Sequence, residues 1–123
     1  MQVIKVLVVD DDPIIRSLVT GILRNANYDV VGECSNGETL LRQLPELKPR
    51  LVLLDINLPD TDGISLIDMI HSISDPVVVM MSGEATLDRV RGALSKGAKG
   101  FVVKPFNAAR LLAAVTTALK DAA

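Results

Sequence analysis

Five polar positions in this 123-residue chain stand where an apolar run gives out. The run from Val3 to Val9 stops at Asp10 and Asp11, and Leu51 to Leu54 stops at Asp55. Val77 to Met81 stops at Ser82, and Phe101 to Val103 stops at Lys104. If the runs are neighbouring parallel strands, these ends gather three carboxylates, one hydroxyl and one ammonium. Like charges at short range are costly, and a bound cation relieves them. The donors are hard oxygens, so Mg²⁺ suits them; it takes one or two carboxylates and keeps several waters. An Asp carboxylate beside such an ion and a Lys is a nucleophile toward phosphorus. Phosphoryl transfer asks for little beyond positioning and charge compensation. Lys104 would neutralise phosphoryl oxygens, the Ser82 hydroxyl would donate to another, and Asp55 would form the new bond.

The elements that position these groups follow from the pattern of the chain. Leu51–Leu54 and Val77–Met81 are continuous apolar runs bounded by turn residues, which reads as strands buried on both faces. Asp12-Pro13 is a helix start, with Asp as cap and Pro at the first helical position. The first helix carries Ile15, Leu18, Val19 and Ile22 as an amphipathic stripe and ends at Asn25-Ala26-Asn27. Tyr28 to Glu33 is a strand, and Ser35-Asn36-Gly37 is a turn. A helix from Glu38 to Leu44, with Leu40, Leu41 and Leu44 inward, is closed by Pro45 and Pro49. Gly63 opens a third helix with Ile64, Ile67 and Ile70 on one side, broken at Asp75-Pro76. The fourth covers about Thr86 to Ser95 with Leu87, Val90 and Leu94 inward. Asn107 caps the fifth, which buries Leu111, Leu112, Val115 and Leu119. Strand and helix thus alternate five times, and each helix is a crossover between parallel strands. The fold class is α/β, a five-stranded parallel sheet between two helical layers. The ends of such strands form the ligand-binding edge of the sheet.

Composition narrows the function classes. Hydrophobic residues make up 49% of the chain and aromatic ones 2%, so the core must be aliphatic. With a net charge of -2 there is no basic field, which argues against direct nucleic-acid binding. No run approaches the ~20 residues of a membrane span, and no secretory signal pattern opens the chain. With a single cysteine, Cys34, the expected location is the cytoplasm, and Cys34 itself reads as a small buried hydrophobe. His71 reads as structural or solvent-facing, and Met80-Met81 as core filler. Arg89, Arg91, Lys96 and Lys99 form a basic patch around the fourth helix whose default is a solvated face.

Taken singly, Asp10-Asp11, Asp55, Ser82-Gly83 and Lys104-Pro105 are ordinary turn residues. Their joint arrival at consecutive strand ends is what reads as a site. The set Val8-Val9-Asp10-Asp11, Leu54-Asp55 with Pro59 and Asp62-Gly63, Met81-Ser82, and Lys104-Pro105-Phe106 resembles the receiver domain of two-component response regulators, nearest to single-domain chemotaxis-type members. The likeness spans essentially residues 1–123. It implies a flavodoxin-like doubly wound sheet in the order 2-1-3-4-5. It implies Asp55 as phosphoacceptor, with Mg²⁺ held by Asp11, Asp55 and the Asn57 backbone carbonyl, and Asp10 acting mainly through water. Lys104 would pair with the phosphoryl group or, before phosphorylation, with Asp55, and the Lys104–Pro105 peptide would be cis. Ser82 and Phe101 would be the switch pair, and Asn57 and Glu84 would tune the phosphoryl lifetime. Phe101 stands where Tyr is frequent, so this ring can signal by packing but not by a hydrogen bond.

The resemblance further implies a self-catalysed phosphorylation switch rather than a conventional enzyme. A sensor histidine kinase or histidine phosphotransfer protein would be the donor. A downstream target or output domain would read the surface of the fourth helix, fifth strand and fifth helix, and phosphorylation-dependent dimerisation is a further form of output. Two rival readings use the same fold. A small Mg²⁺-dependent phosphatase or phosphotransferase shares the aspartyl nucleophile but wants a cap domain and a leaving-group pocket. A flavin module wants a phosphate cradle after the first strand, where Asp10-Asp11-Asp12 repels phosphate.

Overall fold

A computed structural model describes residues 3–122. Strands β1 (Lys5–Val9), β2 (Asp29–Cys34), β3 (Leu51–Asp55), β4 (Val77–Ser82) and β5 (Gly100–Val103) alternate with five helices. These are α1 (Pro13–Asn25), α2 (Gly37–Leu47), α3 (Gly63–Ile73), α4 (Leu87–Ser95) and α5 (Ala108–Asp121). The strands pair in parallel in the order β2-β1-β3-β4-β5, the expected doubly wound topology. Chain order reverses between β1 and β3, so the crevice at their carboxyl ends is the switch point where ligands bind in such sheets.

Alternation along the strands splits the core in two. Leu7, Val9, Val52, Leu54, Val78 and Met80 face α2, α3 and α4, meeting Leu40, Leu44, Leu66, Ile67, Ile70 and Ala93. Val6, Val8, Leu51, Leu53, Val79 and Met81 face α1 and α5, meeting Val19, Leu23, Leu111, Val115 and Ala118. β3 and β4 are buried along their whole length, as a strand covered on both faces should be. Caps fall where the residue types place them. Asp12, Asn36, Asp62, Thr86 and Asn107 each accept a hydrogen bond from a first-turn N–H.

Three helical details differ from the expectations. In α1 the inward face is turned by one position: Val19 and Leu23 are buried while Leu18 is 47% exposed. Neighbouring choices of stripe share most of their members, and packing against β1 and α5 selects between them. Helix α2 runs through Pro45 to Leu47 instead of stopping at Leu44. Only one ladder bond is lost in its last turns, and Leu47 packs against the core. Lys48, in the left-handed conformation with φ 47°, then ends the helix by donating its N–H to the Leu44 carbonyl. In α4 the buried residue is Ala93, with Val90 half-buried. Leu87 and Leu94, expected inward, are 63% and 48% exposed. A methyl suffices where the helix lies close to its neighbours, which leaves the two leucines on the surface.

Cys34 is buried, with its thiol donating to the Gln43 side-chain oxygen at 3.4 Å. Burial pushes the thiol up to about 11, against the opposing charges of Arg16 and Arg42. Since the thiolate is the reactive form, a disulfide reagent should label Cys34 in urea and leave the native chain unlabelled. Leu94→Ser should change the unfolding free energy by less than ~0.5 kcal/mol. Ile67→Ala, in the α3 core face, should cost about 2–5 kcal/mol, both measured by urea titration.

Candidate functional site

Asp10 follows β1 directly and its backbone N–H donates to the Cys34 carbonyl, which continues the sheet's edge by one residue. Asp55 ends β3, and Ile56 N–H donates to the Met81 carbonyl. Because β1 and β3 are neighbours, these ends bring the acids together. One oxygen each of Asp10, Asp11 and Asp55 lie within 4.8 Å of one another. Asp10 has no exposed surface and Asp55 almost none, while Asp11 faces solvent. Three clustered carboxylates, one open to water, are a donor set compatible with a hard divalent cation.

The ammonium expected at this edge is present. Lys104 Nζ lies 2.7 Å from Asp10 Oδ2 and 3.3 Å from Asp55 Oδ2. It thus bridges two acids, with the shorter contact to Asp10 rather than to Asp55. Asp10 Oδ1 accepts the Asp12 N–H at 2.9 Å, so both of its oxygens are engaged by the chain itself. Asp55 Oδ1 accepts the Asn57 N–H at 3.3 Å. Burial raises the Asp55 carboxyl above its ordinary range, and the Asp10 charge adds to this; Lys104 and the Asn57 N–H oppose it. Burial works against the Lys104 ammonium. The hydrogen bond to Asp10 and the charges of Asp55 and Asp10 outweigh it and raise the lysine.

Ser82 and Phe101 share one face of the sheet. Met80 pairs with Phe101 and Ser82 with Val103, and side chains two residues apart point the same way. Phe101 is half-buried against the α2–α3–α4 side of the core. The Ser82 hydroxyl is buried and turned toward its own loop: it donates to the Glu84 carbonyl at 2.9 Å and accepts the Glu84 N–H at 3.0 Å. Glu84 and Asn57 are exposed. The Lys104–Pro105 peptide is cis.

The β3–α3 loop closes tightly on itself. Asn57 and Asp62 form an antiparallel bridge, and Gly63 N–H donates to the Ile56 carbonyl at 2.6 Å. A Cβ on Gly63 would fall 2.9 Å from the Ile56 Cα and nearer still to the Asp55 carbonyl oxygen. Only glycine therefore lets α3 start this close to the strand that carries Asp55.

Some residues around the site had no signal in the sequence. Arg16, one turn into α1, donates to the Asp10 carbonyl at 2.8 Å and lies 3.4 Å from Glu33. Asp60 bonds to α2, as described below. The basic patch on α4 is half paired: Arg89 lies 3.7 Å from Asp62, and Lys96 2.7 Å from Asp68. His71 lies at the opposite edge of the sheet, its Nε2 3.3 Å from the Pro76 carbonyl.

Comparison with known proteins agrees with this geometry. The family model described as the response regulator receiver domain matches residues 6–116. The chain belongs to that family. It is 38% identical to the chemotaxis protein CheY of Listeria monocytogenes, over 95% of this chain and 99% of that protein. It is 39% identical to the DNA-binding response regulator MtrA of Mycolicibacterium smegmatis, over 94% of this chain and 50% of that protein. A Borrelia burgdorferi structure described as a CheX-CheY-BeF3-Mg²⁺ complex superposes with a TM-score of 0.89 at 28% identity. It covers 94% of this receiver chain and 89% of the Borrelia one. Among the described residues, no helix is long and apolar enough to cross a membrane.

The raised Asp55 carboxyl makes a prediction with a definite sign. The folded chain holds the Asp55 proton more tightly than the unfolded chain does. Stability from this group is therefore full below the ordinary Asp range near ~4 and is lost as pH rises through the raised value. In metal-free buffer at neutral pH, Asp55→Asn should raise the urea midpoint, because it removes a buried charge and keeps the shape. The difference should shrink on acidification through the raised value.

Proposed function

We propose that this receiver is a phosphorylation switch in which Asp55 is the phosphoacceptor. The observation that carries the reading is the Asp55 carboxylate held against Asp10, Asp11 and the Lys104 ammonium at the β1/β3 switch point. An Asp55 carboxylate oxygen bonds to phosphorus as the bond from phosphorus to its previous carrier breaks. With a phosphohistidine donor that carrier leaves as an imidazole; with acetyl phosphate it leaves as acetate. Asp11, Asp55 and the Asn57 carbonyl would hold Mg²⁺, with Asp10 acting mainly through water, and the ion would supply compensation for phosphoryl charge. Lys104 supplies the second compensating charge from the protein itself.

Acceptance of the phosphoryl group changes what Ser82 can bond. To donate to a phosphoryl oxygen its hydroxyl must give up the Glu84 carbonyl, which frees the β4–α4 loop. Phe101, on the same face, then turns inward to fill space that the loop vacates. The surface of α4, β5 and α5 changes with it, and Leu87, Leu94 and Val103 already expose apolar area there. That surface is the site for a downstream target, an output domain or a second copy of the chain. The donor is a sensor histidine kinase or a histidine phosphotransfer protein, and Asn57 and Glu84 set how long the adduct lasts. In this reading residues 1–123 act as one receiver domain in the cytoplasm, without contacting nucleic acid themselves.

The test is intact-mass analysis after incubation with acetyl phosphate. One labile phosphoryl adduct should form with Mg²⁺, and none should form in chelator or in Asp55→Asn. An adduct that persists in Asp55→Asn, or forms equally without metal, defeats the assignment. Continuous turnover of many phosphate esters would support the phosphatase instead.

A further inference from the structure

The β3–α3 loop is fastened to α2 as well. Asp60 Oδ1 accepts the Gly37 N–H at 2.9 Å and Oδ2 accepts the Glu38 N–H at 3.0 Å. Both are first-turn donors of α2, more than twenty residues earlier in the chain. The approach is close because position 37 is glycine. A Cβ there would fall 2.8 Å from Thr61 Cγ2 and 3.0 Å from Leu66 Cδ1.

Helix α2 has a cap of its own: Asn36 Oδ1 accepts the Thr39 N–H at 2.8 Å. Asp60 satisfies two further free donors at the positive end of the helix, from a different segment. Those two N–H groups hold its carboxyl below the usual range, so it is an anion at neutral pH. A local residue could have capped α2. What a cap from the loop adds is a fixed position for the loop. At its other end Asp62 caps α3 and lies 3.7 Å from Arg89, so the segment is gripped from both sides.

We infer that Asp60 is a positioning residue for the phosphorylation site: by gripping α2 it holds the β3–α3 loop, and with it the Asn57 carbonyl, where a divalent cation requires an oxygen. This rests on the reading of Asp55, Asp11 and Asn57 given above. Asp60 is exposed and touches none of the reacting atoms. Its contribution is the geometry of a ligand that, being a backbone carbonyl, has no side-chain rotamers with which to adjust.

The experiment compares wild type with Asp60→Ala, Asp60→Asn and Asn36→Ala. Mg²⁺ alone is titrated while the Asn57 backbone amide is followed by NMR. Acetyl phosphate uptake is then measured across Mg²⁺ concentrations. Outer-shell partners of metal ligands are worth roughly tenfold or more in affinity, so Asp60→Ala should weaken Mg²⁺ binding roughly tenfold. Its uptake rate should fall at low Mg²⁺ and recover when Mg²⁺ saturates. Asp60→Asn, which keeps one acceptor oxygen, should lie between. Asn36→Ala removes a cap from the same helix without touching the loop, and should leave Mg²⁺ affinity within about twofold. If Asp60→Ala stays within about twofold of wild type, or Asn36→Ala is equally weakened, Asp60 is only a helix cap and the inference is overturned. A wild-type chain that takes up no phosphoryl group overturns the reading of Asp55 itself, a different and prior failure.

Discussion

A single ammonium faces three carboxylates at the switch point of the sheet. Lys104 reaches this cluster from the end of β5, across β4 and β3, and makes its shorter contact with fully buried Asp10. Two of the acids are screened from water, so the surplus negative charge is not dissipated by solvent. That surplus makes the cluster attractive to a cation, and the Asp10 charge adds to the burial that pushes the Asp55 carboxyl up. The rest of the molecule can be understood as what is needed to hold this arrangement against its own repulsion. Five parallel strands covered on both faces put the four strand ends on one edge, and an almost wholly aliphatic core keeps them there.

The loops finish what the sheet begins. After β3 the chain is locked by the Asn57–Asp62 bridge, the Gly63 contact and the grip of Asp60 on α2. After β4 it is held more lightly, by the pair of bonds between Ser82 and Glu84. The difference suits their tasks. In the proposed switch the first loop adjoins the phosphoacceptor Asp55 at the end of β3 and has to hold still, whereas the second has to exchange partners. Phe101 sits near the second loop's root, on the same face of the sheet as Ser82.

Strand ends and caps were legible in the sequence because their signals are local. A continuous apolar run that stops at a charged residue has few other interpretations, and Asp12, Asn107 and Gly63 stand at helix starts for stereochemical reasons. The inward faces of α1 and α4 were harder. At 3.6 residues per turn, adjacent stripes share most of their members, and the choice falls to the packing partner. In α4 that partner leaves room for Ala93 and puts two leucines outside. Pro45 misled for a related reason, since a lost bond near the end of a helix matters less than one in its middle. Contacts such as Asp60 with Gly37, Lys104 with Asp10 and Arg16 with the Asp10 carbonyl join segments or roles with no characteristic spacing. Only folding brings them together.

The two halves of the core share a backbone but not side chains. Ser82 and Phe101 both project into the half covered by α2, α3 and α4. A rearrangement there can be absorbed by residues that never touch α1 or α5's inner face. In the proposed switch the other half, with α1 and the inner face of α5, serves as ballast, a rigid keel against which α4, β5 and the outward face of α5 reshape while the sheet stays true.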